Sequence, residues 1–336
     1  MQIFVNYKQL VSNVKKVKIK LNKNVKLCAV VKANAYGHDI VKTALAIQNE
    51  VDYFAVARVD EGLVLRQNQI TKPILVLNPC YTKNQAEICA KNDVSLTLCN
   101  LCDVEKISCT GAKIHIKTDS GMNRIGVKQG DEFLRLISEC KRKNICVQGV
   151  YSHFASDVNS DPKNTFDQFN NFCKMAKIVK ESYPQCLLHI CNSSNIFCAP
   201  AFHLNMVRVG LALYEDCKKV TATVIETKQL KKGERAGYNG CFVSKNDCHI
   251  AIADCGYGDG LPRCYNGQVI SKYGKMQVVG NGCMDMIMIN NRDNLLKKGD
   301  KVVILGKYNK NVVKADEIAK NCDTIAYEIL CNLRER

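Results

Sequence analysis

No apolar run in this 336-residue chain approaches the roughly 20 positions a helix needs to cross a bilayer. The opening Met1 to Lys8 lacks the layout of a secretory leader. These two absences point to a cytoplasmic protein that does not sit in a membrane. Besides Cys99-Asn100-Leu101-Cys102 there is no second cysteine pair at zinc-site spacing. The twenty cysteines are scattered through a large chain, so they read as reduced thiols, with no metal site and no disulfide frame. There is also no recognisable nucleic-acid module. The net charge of +16, from 48 basic and 32 acidic residues, is spread along the chain. It suits an anionic small molecule better than a nucleic acid.

What the chain does have is length and apolar content, 46%, enough for a barrel with a smaller companion domain. Eight short apolar segments recur: Lys26 to Lys32, Val51 to Arg58, Pro73 to Leu77, Ser95 to Cys99, Lys113 to Thr118, Cys146 to His153, Leu187 to Cys191 and Met206 to Val209. Between several of them lie amphipathic patterns, such as Asp131 to Arg142 and Asn164 to Tyr183, with apolar residues every three or four positions. The alternation predicts a parallel (β/α)8 barrel of the TIM type. A doubly wound sheet is the structural alternative, but no Gly-x-Gly-x-x-Gly follows the first strand. From about Val220 the texture changes to strand candidates at Thr221 to Leu230, His249 to Ala253, Gln277 to Gly280, Met284 to Asn290 and Lys301 to Leu305, with a partly helical Ala315 to Cys331. The expected division is therefore a barrel over residues 1–218 and a mainly β domain over 219–336. No low-complexity linker separates them.

The most informative string is Val30-Val31-Lys32-Ala33-Asn34-Ala35-Tyr36-Gly37-His38-Asp39, which sets one lysine at the end of an apolar strand. Desolvation there would lower the ammonium pKa and ready the amine for Schiff-base chemistry, although a lysine snorkelling from a strand end fits the bare pattern as well. Barrel active sites lie at the carboxyl ends of the strands. Those positions hold Lys32, then Lys117 and Asp119, His153, Asn192 and Ser193, and Arg208 and Gly210.

The strings around these residues resemble the alanine racemases over almost the whole chain. They are the Lys32 string, Lys117-Thr118-Asp119-Ser120-Gly121-Met122-Asn123-Arg124-Ile125-Gly126, Gly149-Val150-Tyr151-Ser152-His153, His189-Ile190-Cys191-Asn192-Ser193-Ser194 and Met206-Val207-Arg208-Val209-Gly210-Leu211-Ala212-Leu213-Tyr214. Gly237-Tyr238, Gly256-Tyr257-Gly258-Asp259-Gly260, Cys283-Met284-Asp285 and Ala326-Tyr327-Glu328 follow in the family's order.

The resemblance implies pyridoxal phosphate as cofactor, carried as a Schiff base by Lys32. Tyr36, Ser193, Tyr327 and the amides around Gly210 and Leu211 would hold its phosphate, His153 and Asn192 would complete the cofactor site, and Arg208 would face the ring nitrogen. A guanidinium there disfavours ring protonation and so restrains full delocalisation of the carbanion. Racemisation needs a base on each face of the α-carbon, and the resemblance assigns these to Lys32 and Tyr238. An unperturbed tyrosine, with a pKa near 10, is a phenolate in only roughly one molecule per thousand at neutral pH. A network in which His153 partners Tyr238 and His189 buttresses Arg208 would lower that barrier. Arg124 and the Met284 amide would orient the substrate carboxylate, with Lys117 supporting Arg124 when carbamylated and Tyr257 and Asp285 in supporting places. In the family the tyrosine base comes from a second subunit, which implies a homodimer with shared sites.

The chain departs from the family pattern at Glu215, where a glycine is usual, and in a shorter carboxyl end, which puts the strength of that dimer in question. The implied activity is interconversion of L- and D-alanine, supplying D-alanine for peptidoglycan. The alternatives are a serine or broad-specificity racemase, a non-catalytic cofactor carrier, or a decarboxylase, which would be expected to set a carboxylate against the ring nitrogen.

Overall fold

The computed structural model describes residues 1–335, and the chain divides into two compact units. One comprises Leu10–Ala35 and Asp39–Tyr214. Its strands are β2 (Lys26–Val30), β3 (Tyr53–Val56), β4 (Ile74–Pro79), β5 (Val94–Leu98), β6 (Lys113–Lys117), β7 (Cys146–Tyr151), β8 (Leu187–His189) and β9 (Met206–Val209), while β1 (Gln2–Val5) belongs to the other unit. They pair in parallel in the order β8-β7-β6-β5-β4-β3-β2-β9. The Asn205 N–H to Leu188 carbonyl bond (3.1 Å) and the Arg208 N–H to Cys191 carbonyl bond (3.0 Å) bring β8 against β9 and complete the ring. The (β/α)8 barrel read from the sequence is therefore the fold, and each expected segment overlaps one barrel strand.

Several of these strands, β2, β3 and β4 among them, are nearly continuous apolar runs because both faces are covered, one by the barrel interior and one by the helices. Leu27 through Val31 are all buried, as are Tyr53 through Val56. The helix Asp131–Arg142 buries Phe133, Leu136, Ile137 and Cys140, one stripe at helical spacing, and it carries acids in its first turn and bases in its last. The helix Pro162–Ser182 starts at Asp161, whose side chain accepts from the Asn164 N–H at 3.1 Å, with Pro162 at a position that needs no N–H donor.

The other unit holds Met1–Gln9, Tyr36–His38 and Glu215–Arg336. Its strands are β10 (Lys218–Leu230), β11 (Arg235–Ala236), β12 (Phe242–Val243), β13 (Cys248–Ala253), β14 (Gln268–Ser271), β15 (Gly274–Val279), β16 (Ile287–Asn290), β17 (Lys301–Tyr308) and β18 (Asn311–Val313). The long β10 pairs with β17 through Val220 to Thr223 and, past a register shift between Val224 and Glu226, with β13. Pairing then runs β13-β16-β15-β14-β17 and returns to β10, so six antiparallel strands close on themselves without an open edge. β1 adds to β10 in antiparallel register, Gln2 opposite Thr221. That amino-terminal strand was not legible from the pattern of residues 219–336. The expected strand Met284 to Asn290 is shorter, because a Cys283 N–H to Met286 carbonyl bond (2.9 Å) folds Met284 and Asp285 into a turn before β16.

Candidate active site

Strand β2 ends at Val30, and the Val31 N–H still bonds the Ala55 carbonyl at 2.9 Å. Lys32 therefore stands just past the strand, opens the following turn and is half-buried. Ala33, Asn34, Ala35 and Tyr36 then have φ of 53°, 52°, 53° and 53°, a left-handed helical turn built without glycine until Gly37. Each such residue costs roughly 1–2 kcal/mol, and strain of this kind gathers at functional sites when the surroundings hold it. Within the turn Ala35 N–H reaches the Val31 carbonyl (2.9 Å), and Asn34 Oδ1 accepts from the Ile40 N–H (2.8 Å).

At the same end of the barrel Arg208, on β9, is 4% exposed. Its Nη1 donates to His189 Nδ1 (2.9 Å) and to the His189 carbonyl (3.0 Å); its Nη2 donates to the Ser152 carbonyl (2.7 Å) and His153 Nδ1 (3.2 Å). A guanidinium only donates, so both histidine Nδ1 atoms must be bare. His189 then carries its proton on Nε2 and donates it to His115 Nδ1 at 2.8 Å, which leaves the His115 proton on Nε2. All three imidazoles stay neutral. Burial, then Arg208, lowers His115 to about 3, and the same two causes in the same order hold His153 and His189 well below the usual value.

Tyr151 stacks on His189, ring centroids 4.8 Å apart and planes within 8°. Its hydroxyl bonds Thr97 Oγ1 at 2.7 Å, and burial raises it to about 12, so it remains a phenol. Lys117 lies 4.7 Å and the Arg208 Cζ 5.1 Å from the Tyr151 ring centre. Lys117 is buried, and burial with Arg208 and Arg124 lowers it well below an ordinary lysine. Arg124 itself is exposed in the loop after β6.

Ser193 Oγ accepts from the Gly210 N–H at 2.9 Å, so the Gly210 amide is engaged within the protein and the hydroxyl proton is left to donate. Asn192 Oδ1 receives the Asn195 N–H at 3.3 Å, and Leu211 opens the short 3-10 turn Leu211–Leu213.

The whole chain also resembles known proteins. The profile described as "Alanine racemase, N-terminal domain" matches residues 5–217, and "Alanine racemase, C-terminal domain" matches 217–336. The chain belongs to the alanine racemase family. It is 35% identical to "Alanine racemase 2" of Caldanaerobacter subterraneus subsp. tengcongensis, over 100% of this chain and 93% of the relative. Among solved structures it is similar to the alanine racemase of Clostridium difficile 630, with a TM-score of 0.90, 34% identity, and coverage of 99% of this chain and 93% of that one. The Bacillus anthracis alanine racemase with bound L-Ala-P matches at a TM-score of 0.91 and 30% identity, covering 98% and 92%.

The β unit carries the remaining alanine racemase motifs. Tyr36 is buried with its ring 5.8 Å from that of Tyr327, which opens the helix Ala326–Asn332. Tyr238 is 60% exposed, in a short turn after Gly237. The Tyr257 N–H bonds the Cys283 carbonyl (3.0 Å) and the Gly258 N–H bonds the Met284 carbonyl (2.8 Å), which fixes the Met284 and Asp285 turn against the Tyr257 turn. A Cβ on Gly256 would sit 2.3 Å from the Cys283 oxygen, so no other residue fits there.

Two residues of the network, His115 and Tyr151, do not stand out in the sequence as site residues. The signal was alternation: Lys113, His115 and Lys117 share one face of β6, and Gly149 and Tyr151 one face of β7.

Proposed function

We propose that this protein interconverts L- and D-alanine with pyridoxal phosphate as cofactor, supplying D-alanine for peptidoglycan in the cytoplasm. The observation that carries the reading is Arg208. It is a buried guanidinium bonded to neutral acceptors, with no carboxylate paired to it among the described residues. Such a donor set fits a pyridine nitrogen, which accepts a hydrogen bond, and it is the opposite of the carboxylate that a ring-protonating site would need. The cofactor's phosphate would be held by Tyr36, Tyr327, the Leu211 amide and the Ser193 hydroxyl, whose oxygen the Gly210 N–H keeps in place, beside Asn192 and His153, and its aldehyde carbon by Lys32.

When bound, pyridoxal phosphate supplies the electron sink that lets the substrate α-proton leave. Arg208, a pure donor, would hold a ring nitrogen set against it unprotonated, which would limit that sink and favour return of the proton over other fates. Lys32 and Tyr238 hold and return the α-proton on opposite faces. Arg124, with the Met284 amide, orients the substrate carboxylate, supported by Tyr257 and Asp285. Lys117 is a buried amine whose protonation is disfavoured by burial and then by Arg208 and Arg124; its addition to CO2 in the unprotonated form, with loss of one proton, would place a carbamate anion where two cations attract it. Tyr238 lies in the β domain, residues 219–336, and we propose that it acts at the barrel of a second subunit in a homodimer.

The test is to incubate the protein and pyridoxal phosphate separately with L-alanine, L-serine and L-lysine and to follow the D-enantiomers by chiral chromatography. Preferential D-alanine supports the reading. A serine rate matching the alanine rate would make it a broader racemase, and no racemisation with cofactor bound at Lys32 would favour a carrier or a decarboxylase.

A further inference from the structure

Four consecutive non-glycine residues in a left-handed turn need an anchor beyond the turn itself, since the Ala35 and Asn34 bonds are local to residues 31–40. Resting on the reading of Lys32 as the cofactor lysine, we propose that Glu61 is its positioning residue, gripping the turn after β2 from the loop after β3. Glu61 lies in the first turn of the helix Val59–Gln67. Its Oε1 accepts from the Ala33 N–H at 2.6 Å, and its Oε2 accepts from the Ala57 N–H at 2.8 Å and the Arg58 N–H at 3.1 Å.

The division of the two oxygens carries the argument. Oε2 does what an acid at the third helical position ordinarily does, reaching back to the amides that begin its own helix. Oε1 faces away from that task and holds the amide directly after Lys32. Fixing the direction of the Ala33 N–H fixes the peptide plane that joins Lys32 to Ala33, and with it the Lys32 backbone from which the side chain springs. All three bonds are charge-assisted, which suits an anchor that must hold a strained turn.

Only a carboxylate can serve both loops. A glutamine at this place has one acceptor oxygen and one NH2. Turned toward Ala57 and Arg58 it keeps two bonds, and it then presents an NH2 to the Ala33 N–H, donor against donor. Glu61→Gln is therefore expected to leave the helix start intact and to loosen the turn selectively. Glu61→Ala should loosen both.

The experiment compares hydrogen exchange in the cofactor-free wild type, Glu61→Gln and Glu61→Ala, over the peptides spanning residues 32–38 and 57–66. In parallel, each protein is incubated with pyridoxal phosphate, reduced with borohydride, and the rate of cofactor capture at Lys32 is read by peptide mass. Glu61→Gln should raise exchange over 32–38 by about tenfold or more, the worth of one charge-assisted bond, and slow capture by a similar factor. Its exchange over 57–66 should stay within about twofold of wild type, because the two Oε2 bonds have a replacement. Unchanged exchange over 32–38 with unchanged capture would overturn the proposal. So would equal loosening of both peptides, which is what a plain helix cap predicts. Wild-type protein that captures no cofactor at Lys32 would overturn the cofactor reading and this proposal with it, and is told apart because the unmutated chain fails.

Discussion

Lowering the pH from 7.5 to 5.5 should destabilise this protein through three histidines that the fold keeps neutral. His115, His153 and His189 have folded pKa values below the ordinary 6.5, the first at about 3, from burial and then Arg208. The unfolded chain binds protons at these positions below pH 6.5 and the folded chain does not, so stability is complete above 6.5 and is lost as the pH falls. For His115 the loss continues to about 3. One unit below 6.5 His115 alone costs 1.36 × log10(11), about 1.4 kcal/mol, and His153 and His189 lose stability in the same direction. Against the ~5–15 kcal/mol that holds a typical protein folded, the loss is large enough to measure. Urea midpoints followed by circular dichroism on cofactor-free protein, at steps between the two pH values, measure it. His115→Asn lowers stability at every pH but removes one titrating group and keeps an oxygen that can accept from His189. Its loss between pH 7.5 and 5.5 should be smaller than wild type by about 1.4 kcal/mol, one histidine's share. A wild-type stability that is flat across this range, or an identical loss in the variant, would refute the assignment of neutral, proton-ordered imidazoles.

Lys32→Ala should abolish cofactor capture, and Tyr238→Phe should keep the cofactor while losing most racemisation; absorbance and chiral chromatography separate the two. Gly149→Ala would set a Cβ 2.3 Å from His115 Nδ1, so a loss of about 1–3 kcal/mol in chemical denaturation is expected, with a weakened hold on His189. Lys218 donates to the Leu330 and Leu333 carbonyls at 2.8 and 2.7 Å. Lys218→Met leaves both buried acceptors unpaired and should cost about 2–4 kcal/mol by urea titration, with faster hydrogen exchange in the helix that bears Tyr327. Intact mass of protein prepared with bicarbonate should exceed that of protein prepared without CO2 by one carbamate, and Lys117→Met should abolish the difference.

The barrel is legible because its strands are buried on both sides and the first three read as nearly unbroken apolar runs, and because the helix Asp131–Arg142 repeats its apolar stripe cleanly. The strand Met284 to Asn290 was misjudged because turn and strand share the same apolar composition there, and only the Cys283 to Met286 bond separates them. β1 was invisible for a different reason: a four-residue segment carries no partner in its own sequence, and its place is set by β10, more than two hundred residues away. In the site, charged residues at strand ends stood out, since such residues seldom lie at a barrel's carboxyl rim without a role. His115 did not, because one histidine amid apolar strand residues looks like a packed core residue until Arg208 and His189 are seen to order its proton.

That ordering explains how one site can hold so many basic side chains. A guanidinium starts so high on the pH scale that burial does not discharge it, and the cost of crowding falls on its neighbours. Lys117 and Arg208 each lie within about 5 Å of the Tyr151 ring centre, so they are less than 10 Å apart. Burial first, and then the Arg208 charge across that short distance and Arg124, disfavour the protonated form of Lys117. Burial and then Arg208 do the same to His115, His153 and His189. The fixed charge thus biases the surrounding bases toward their neutral forms. A neutral lysine can add to CO2, neutral imidazoles can accept from the guanidinium, and any ring nitrogen set against Arg208 is under the same pressure to stay unprotonated. Replacing Arg208 with a carboxylate would reverse that pressure on every one of these groups, which makes its charge, more than its hydrogen bonds, the feature on which the chemistry of this barrel depends.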